Sequence, residues 1–268
     1  YCLYFNFYQL NDFMSKLPEA YRFIDISDYG RGLARHIAMA LKKTAFTPIH
    51  VTTAFIISGL IAIACILHGF YIAAAFFLIM KSVLDAADGE LSRLKKTPSY
   101  SGRYYDSIAD LVLNFLFLLS FWHISDGSML LMLLAFVGIQ MQGTVYNFYY
   151  VILRHVANGD TTSRIFEDEA PKALDGEKQR TVNILYRIYD VLYIPFDKVM
   201  YFLDKDAQHS EPFPKWFMTM TSSFGLGFQL LIMAFMLVFN LHDFVIPFFI
   251  AYSSLILVFV GIRKFILA

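Results

Sequence analysis

Apolar residues are concentrated in six long stretches of the chain. Each stretch is close to the roughly 20 residues that an α-helix needs to cross the hydrocarbon core of a bilayer. Apolar residues follow one another without the strict apolar–polar alternation that marks a membrane β-barrel strand. The pattern therefore predicts an all-α membrane protein, a six-transmembrane-helix bundle. The predicted spans cover residues 49–67, 70–87, 107–124, 128–153, 217–240 and 244–262.

Two further segments have the pattern of amphipathic helices. In residues 31–43, apolar and basic side chains fall largely on different sides of a helix. In the long connection at about 155–216, apolar residues recur every three or four positions from Val182 to Leu203, and Pro195 is expected to bend or split that helix. Both patterns are typical of helices lying in the headgroup layer. For the second helix, a dimer or lid surface is the alternative. The apolar side of the first is formed by Leu33, Ile37, Ala40 and Leu41.

Composition and charge agree with a membrane protein and predict its orientation. Mean hydropathy is +0.52, and 57% of the residues are hydrophobic, which is more than a soluble domain of this size usually buries. None of the 22 Lys and Arg lies in the short hairpins 68–70, 123–128 and 240–243, whereas the other connections and both ends carry them. The positive-inside rule then puts both termini in the cytoplasm. We expect a multi-pass protein of the inner (cytoplasmic) membrane.

Four aspartates lie where the second and third apolar stretches meet. Asp85 and Asp88 are three residues apart, and Asp106 and Asp110 are four apart, so each pair shares one face of its helix. The connection between the stretches is short, so the two helices are expected to be antiparallel neighbours. The four carboxylates should therefore converge at the cytoplasmic membrane surface.

Three interpretations of these aspartates compete. Surface salt bridges with nearby basic residues such as Lys81 would suit one or two carboxylates but leave the regular spacing unexplained. A proton or ion relay in a transporter usually places its acids near the middle of the membrane, whereas these acids lie at one interface. A Mg²⁺ or Mn²⁺ site agrees with the preference of hard cations for carboxylate oxygens. Gly89 and Gly102 leave room beside such a site, and Arg93 can offer its guanidinium to phosphate oxygens.

The residues from Asp85 to Asp110 also form a recognisable motif. They read D-x-x-D-G-x-x-S-R, eight residues, then G-x-x-x-D-x-x-x-D. This resembles the signature of the CDP-alcohol phosphotransferase (CDP-alcohol phosphatidyltransferase) family, and its place between two apolar stretches is the expected context. Ser92 stands where the family usually has Ala, and His50 stands where Asn is common. The resemblance implies the family's fold and a homodimer.

The resemblance also implies a reaction and roles for individual residues. Family members transfer a substituted phosphate from a CDP-linked donor to an alcohol and release CMP. One or two divalent ions, Mg²⁺ or Mn²⁺, would be held by Asp85, Asp88 and Asp106. Asp110 would be the catalytic base for the acceptor hydroxyl while also contacting metal. Residues implied to bind the nucleotide are Asp85, Gly89, Ser92, Arg93, Gly102 and Thr52.

Polar residues farther along the chain are candidates for the acceptor side. Asn114 continues the Asp106 and Asp110 face by one turn, and Asn147 belongs to a polar stripe on the fourth stretch. Such stripes serve as helix–helix contacts as often as substrate contacts. Arg154 and Lys215 would supply positive charge for a phosphorylated alcohol, although the positive-inside rule alone accounts for them.

The motif and the predicted spans lead to a division of the chain and a favoured reaction. Residues 1–47 are the N-terminal cytoplasmic segment with its amphipathic helix. Residues 48–268 are the transmembrane catalytic domain, which includes the cytoplasmic loop and interfacial helix at about 155–216. The favoured reaction is phosphatidyl transfer from CDP-diacylglycerol to a small hydrophilic alcohol in phospholipid biosynthesis.

Two other functions stay open at this point. One is transfer of phosphocholine or phosphoethanolamine from a CDP-aminoalcohol to a diglyceride, by enzymes that look larger than this chain. The other is an ion-coupled transporter. The expected partners are a CDP-linked donor, an alcohol acceptor, membrane lipid and a second copy of the chain, with no nucleic acid.

Overall fold

The computed structural model describes residues 17–157, 169–209 and 212–267. All regular structure in these ranges is helical, so the all-α prediction is confirmed. Short 3₁₀ turns lie at Glu19–Tyr21, Ile26–Asp28, Lys205–His209, Ser222–Phe224 and His242–Phe244. The α-helices are α1 (Arg31–Leu41), α2 (Pro48–Leu67), α3 (Tyr71–Lys95), α4 (Tyr100–Ile124), α5 (Met129–Val156), α6 (Gln179–Leu203), α7 (Lys215–Thr221), α8 (Leu226–Val238), α9 (Val245–Ser253) and α10 (Leu255–Ile266).

Four helical segments of the described chain are long and apolar enough to cross a membrane. They are α2, α4, α5 and the segment His242–Ile266, which contains α9 and α10. A fifth candidate consists of Lys215–Phe224 and Leu226–Val238, which are bent by 53° at the break between them. The chain is therefore an integral membrane protein with four candidate spans, or five if the bent pair counts as one.

Helix α3 occupies the place of the second predicted span but is not among these candidates. It is 25 residues long, yet Lys81, Asp85 and Asp88 interrupt its apolar sequence. The helix packs against α1, α2 and α8, so protein rather than lipid surrounds much of it. The count of six spans stays a prediction, although a helix forms at each of the six predicted places.

The bent pair is shaped by the N-terminal part of the described chain. Gly225 has an extended backbone that interrupts the helix, and a Cβ on Gly225 would meet Ser27. The Ile26 N–H donates a 3.0 Å hydrogen bond to Ser222 Oγ. The break between α7 and α8 is thus where the turn Ile26–Asp28 packs. The sequence pattern of residues 1–30 gave no sign of this contact.

Helix α1 has a second buried face, formed by alanines, in addition to the predicted apolar side. Ala34 and Ala38 are fully buried in a cluster with residues of α2 and α3. Their small side chains allow α1 to approach α3 closely. Leu33 is 54% exposed, so it is available to lipid. The interfacial position of α1 stays a prediction.

Helix α6 is continuous through Pro195, so it is not split there, and the other expectation, a bend at Pro195, stays a prediction. It packs against α4 and α5, and Val182 and Tyr186 are buried beside Tyr104 of α4. Its other side carries an exposed apolar stripe, formed by Ile184, Ile188, Val191, Val199 and Phe202.

Candidate active site

The helices surround a cavity of about 470 Å³ that is lined mainly by polar and charged side chains. Helices α3 and α4 supply acids, α5 supplies amides and tyrosines, and α6 and α8 close other sides. The turn Ile26–Asp28 also contributes to the wall. A polar cavity of this size within a largely apolar bundle is suited to a polar ligand of substantial size.

Three of the four predicted aspartates form one compact group in this cavity. Asp85 and Asp88 come from α3 and Asp106 from α4, and one ligand oxygen of each lies within 4.8 Å of the others. The spacing of three residues along α3 puts Asp85 and Asp88 on one face. The structure thus brings together three of the four aspartates that the sequence motif singles out.

The donor set of this group agrees with a hard divalent cation. All three donors are carboxylates, the ligands that Mg²⁺ and Mn²⁺ prefer. Asp106 Oδ1 is buried and makes no hydrogen bond to any described residue. A buried carboxylate oxygen without a partner is costly, and a cation would remove that cost.

Asp110 lies apart from this group and is held by a lysine. Lys81 forms ion pairs with both Asp85 and Asp110, and its Nζ is 2.7 Å from Asp85 Oδ2. The Lys81 side chain is completely buried, and its Nζ lies 4.5 Å from the centre of the Phe55 ring. Lys81 therefore links α3 to α4 and fixes the position of Asp110.

Thr52 supports the acidic group rather than lining the cavity. Its hydroxyl donates a 2.7 Å hydrogen bond to Asp88 Oδ2, and both side chains are buried. His50, two residues earlier, caps the start of α2 by accepting a 3.0 Å hydrogen bond from Thr47 N–H at Nδ1. The unusual histidine therefore has a structural role in the described chain.

Of the other motif residues, Gly89 and Arg93 line the cavity. A Cβ on Gly89 would make only ordinary contacts with the Arg93 guanidinium, at 3.6 Å and beyond, so packing alone does not demand glycine. The Arg93 guanidinium lies 3.1 Å from Glu90 Oε1. The space beside Gly89 is part of the cavity.

Ser92 and Gly102 are placed differently, at the turn that joins α3 to α4. The Ser92 hydroxyl donates a 3.0 Å hydrogen bond to the Thr97 carbonyl. The Gly102 N–H donates a 2.8 Å hydrogen bond to Ser99 Oγ, the N-cap of α4, and a Cβ on Gly102 would crowd that oxygen. Neither residue is among those lining the cavity.

Most of the predicted acceptor residues do line the cavity. Asn114, Asn147 and Arg154 all face it, and Arg154 is 3% exposed. The stripe that contains Asn147 also presents Gln140 and Thr144. Lys215 is exposed at the start of α7 and is not among the lining residues.

The turn before α1 contributes acids that the sequence analysis missed. Asp25 Oδ1 accepts hydrogen bonds from Ser27 N–H and Oγ, at 3.0 and 2.6 Å, and the Tyr146 hydroxyl donates to Asp25 Oδ2. Asp28 forms an ion pair with Arg31 at the start of α1. No periodic pattern marks these residues, so only their charge could have suggested a role.

Glu90 is a second acid that was missed. It is 1% exposed and lies 3.1 Å from Arg93, 3.6 Å from Arg31 and 3.9 Å from Arg35. The three guanidinium groups compensate the buried charge. Glu90 thereby orients the arginine that the motif assigns to the nucleotide, and its position directly after Gly89 was the available signal.

Helix α6 adds two tyrosines to the cavity wall. The rings of Tyr189 and Tyr193 stack with centres 4.7 Å apart, and the Tyr193 hydroxyl donates a 2.6 Å hydrogen bond to the Ser107 carbonyl. Burial, together with the nearby Asp110 and Asp106, raises the pKa of Tyr193 well above its usual value. Tyr193 therefore stays a hydrogen-bond donor.

The loop before α6 holds the beginning of α4. Glu177 accepts hydrogen bonds from Ser99 Oγ at 2.8 Å, Ser101 N–H at 2.7 Å and Tyr100 N–H at 3.2 Å. Partial burial opposes ionisation, but the hydrogen bonds from Ser101 and Ser99 outweigh it and lower the pKa of Glu177 to about 2. A charged carboxylate at a helix N-terminus stabilises that helix, here the one carrying Asp106 and Asp110.

A family model described as CDP-alcohol phosphatidyltransferase matches residues 45–197, which is more than half of the chain. The matched range begins just before α2 and ends within α6, so it contains all four aspartates and Lys81. Comparison with curated proteins gives no match, and comparison with solved structures gives none either.

Proposed function

The chain belongs to the CDP-alcohol phosphatidyltransferase family, and we propose that it transfers a phosphatidyl group from CDP-diacylglycerol to a small hydrophilic alcohol. CMP is the other product, and the reaction serves phospholipid biosynthesis. Family membership supports transfer of a phosphatidyl or phosphoalkyl group from a CDP-alcohol. The choice of CDP-diacylglycerol as donor is the finer part of the proposal.

One observation carries the proposal. Asp85, Asp88 and Asp106 offer three oxygens within 4.8 Å of one another, and one oxygen of Asp106 is buried without a hydrogen-bond partner in the described chain. We assign Mg²⁺ or Mn²⁺ to these three carboxylates. When bound, the ion supplies Lewis acidity and neutralises negative charge on the diphosphate of the donor.

Asp110 is the catalytic base in this proposal. The acceptor oxygen forms a bond to the lipid-side phosphorus, the bond from that phosphorus to the bridging oxygen breaks, and CMP leaves. The proton of the acceptor hydroxyl passes to Asp110. Its ion pair with buried Lys81 fixes the orientation of the carboxylate, and a fixed orientation is what proton transfer requires.

The remaining cavity residues divide between the two substrates. We assign Asp85, Gly89 and Arg93 to the nucleotide, with Arg93 held by Glu90. Thr52 acts through Asp88, and Ser92 and Gly102 shape the turn between α3 and α4.

Asn114, Asn147 and Arg154 are proposed acceptor contacts because they line the same cavity. Lys215 is not included, since it lies outside the lining. We also propose that the protein lies in an inner membrane with its active site and both termini in the cytoplasm, which the distribution of Lys and Arg supports. The family resemblance supports a homodimer.

The choice of substrates is tested by product analysis. Purified protein with Mn²⁺ is given labelled CDP-diacylglycerol and a panel of alcohols that includes inositol, inositol phosphate, serine and glycerol phosphate. A labelled phospholipid in one or more reactions is expected. In a parallel reaction, CDP-choline or CDP-ethanolamine is supplied with diglyceride, and product in that reaction alone would reverse the donor assignment. No CMP from any donor would contradict the enzyme proposal and leave the transporter.

A further inference from the structure

Lys81 is a fully buried charged residue that lies four positions before the motif begins at Asp85. It lies among the four motif aspartates, which together are called the acidic cluster: Asp85, Asp88, Asp106 and Asp110. Lysine is almost never fully buried unless it is paired. Anchoring at the membrane surface does not explain Lys81, because its side chain has no exposed surface. Its function must concern the groups that surround it.

The ammonium group of Lys81 contacts two of the four aspartates. Nζ lies 2.7 Å from Asp85 Oδ2 on its own helix and forms a second ion pair with Asp110 Oδ1 on α4. The Phe55 ring of α2 covers it, with Nζ 4.5 Å from the ring centre. The ammonium is therefore held between α3 and α4 by carboxylates and enclosed by an apolar side chain.

These contacts divide the acidic cluster into two cation positions. Asp85, Asp88 and Asp106 form the first, because their donor oxygens lie within 4.8 Å of one another. Asp85 and Asp110 form the second, and Lys81 Nζ occupies it. Asp85 belongs to both positions. Two-metal phosphoryl-transfer sites likewise hold two adjacent cations, about 3.5–4 Å apart.

A second divalent ion would therefore compete directly with Lys81. To bridge Asp85 and Asp110, it would have to take the space of Nζ, which lies within hydrogen-bonding distance of both carboxylates. An ion placed beside Nζ would face a fixed like charge at short range in a buried setting, where repulsion is strong. The whole Lys81 side chain is buried, so its ammonium group is not in contact with solvent.

We propose that Lys81 fills the second cation position of the acidic cluster, so that the protein binds one divalent cation, at Asp85, Asp88 and Asp106, and holds Asp110 with an ammonium group. This inference rests on the proposed function and specifies its metal stoichiometry. Lys81 is then a positioning residue for Asp110 and a permanent substitute for a second metal ion.

The test measures bound metal rather than activity. Metal-free protein in detergent is equilibrated with Mn²⁺ alone by dialysis, and bound Mn²⁺ per chain is determined. We expect one ion in the wild-type protein and two in Lys81→Met, which keeps an unbranched side chain but removes the charged terminal amine. Lys95→Met is the matched control and should bind one ion, since Lys95 Nζ donates to the carbonyls of Thr44 and Phe46 outside the cluster.

Several results would overturn the inference. Two ions in the wild-type protein would show that Lys81 does not fill the second position, and one ion in folded Lys81→Met would show that Lys81 is not what excludes the second ion. If Lys81→Met does not fold, electron paramagnetic resonance of the Mn²⁺-saturated wild-type protein decides. Isolated ions are expected, and a spin-coupled pair contradicts the inference.

Failure of the inference is distinguishable from failure of the proposed function. CMP release from CDP-diacylglycerol is measured on the same preparation. Release together with two bound ions would overturn the role of Lys81 alone. Absence of both Mn²⁺ binding and CMP release would overturn both.

Discussion

Thr52 of α2 donates a 2.7 Å hydrogen bond to Asp88 of α3, a member of the acidic cluster, and both side chains are buried. Asp88 thus has one oxygen fixed by a neighbouring helix before any ligand binds. Hydrogen bonds of this kind orient metal-binding carboxylates, and losing them typically weakens metal affinity 10- to 100-fold.

Thr52→Val should therefore weaken Mn²⁺ binding by about 10-fold while preserving the shape of the side chain. The matched control is Thr53→Val. The Thr53 hydroxyl donates a 2.9 Å hydrogen bond to the Ile49 carbonyl of its own helix, on an exposed face. Mn²⁺ titration of both variants checks the prediction, and equal affinities for the two would show that Thr52 does not orient Asp88.

Glu177→Gln should lower the thermal stability of the protein. The variant loses the charged acceptor at the N-terminus of α4, and such a contact contributes about 0.5–1 kcal/mol. Glu169→Gln, which alters an exposed residue of the same loop, should leave the unfolding temperature unchanged. Thermal unfolding in detergent measures both, and an unchanged Glu177→Gln would remove the proposed link between the loop and α4.

The effect of Glu177 should also depend on pH in a defined direction. The pKa of Glu177 is lowered to about 2 in the folded protein, against about 4.3 in an unfolded chain. A lowered folded-state pKa contributes stability that is fully present above the unfolded pKa and is lost as pH falls through the folded pKa. The difference in unfolding temperature between wild type and Glu177→Gln should thus shrink from pH 5 toward about pH 2. A constant difference would contradict this.

Gly227→Ala should disturb the wall of the cavity. A Cβ at Gly227 would collide with the Ser27 carbonyl oxygen, a backbone atom that has little freedom to move. Overpacking of this kind typically costs about 1–3 kcal/mol. Gly261→Ala is the control, because a Cβ there meets nothing within 4 Å. Lower stability and lower CMP release are expected for Gly227→Ala alone. Wild-type stability and CMP release in Gly227→Ala would contradict the close packing of Gly227 against Ser27.

The acidic group was predictable because its three aspartates are close together in the sequence. Asp85 and Asp88 are separated by less than one helical turn, and a short connection leads to the helix of Asp106, so spacing alone brings these carboxylates together. The motif Asp85–Asp110 added the family. All-helical structure followed equally directly from the continuous apolar stretches.

The rest of the cavity depends on contacts between distant parts of the chain. Tyr146 donates a hydrogen bond to Asp25, which is 121 residues away in the sequence, and Tyr193 donates one to the Ser107 carbonyl, which is 86 residues away. Neither contact leaves a periodic pattern in the sequence. Lys81 was visible only as one of several basic neighbours of the aspartates, and its burial between α3 and α4 depends on how those helices pack.

The central claim is that Asp85, Asp88 and Asp106 hold a catalytic divalent cation. Its most direct test is Mn²⁺-dependent CMP release from CDP-diacylglycerol by wild type and by Asp106→Asn, with Asp126→Asn in an exposed hairpin as the control. We expect Asp106→Asn to abolish CMP release at every Mn²⁺ concentration and Asp126→Asn to match the wild type. Undiminished CMP release by Asp106→Asn would contradict it.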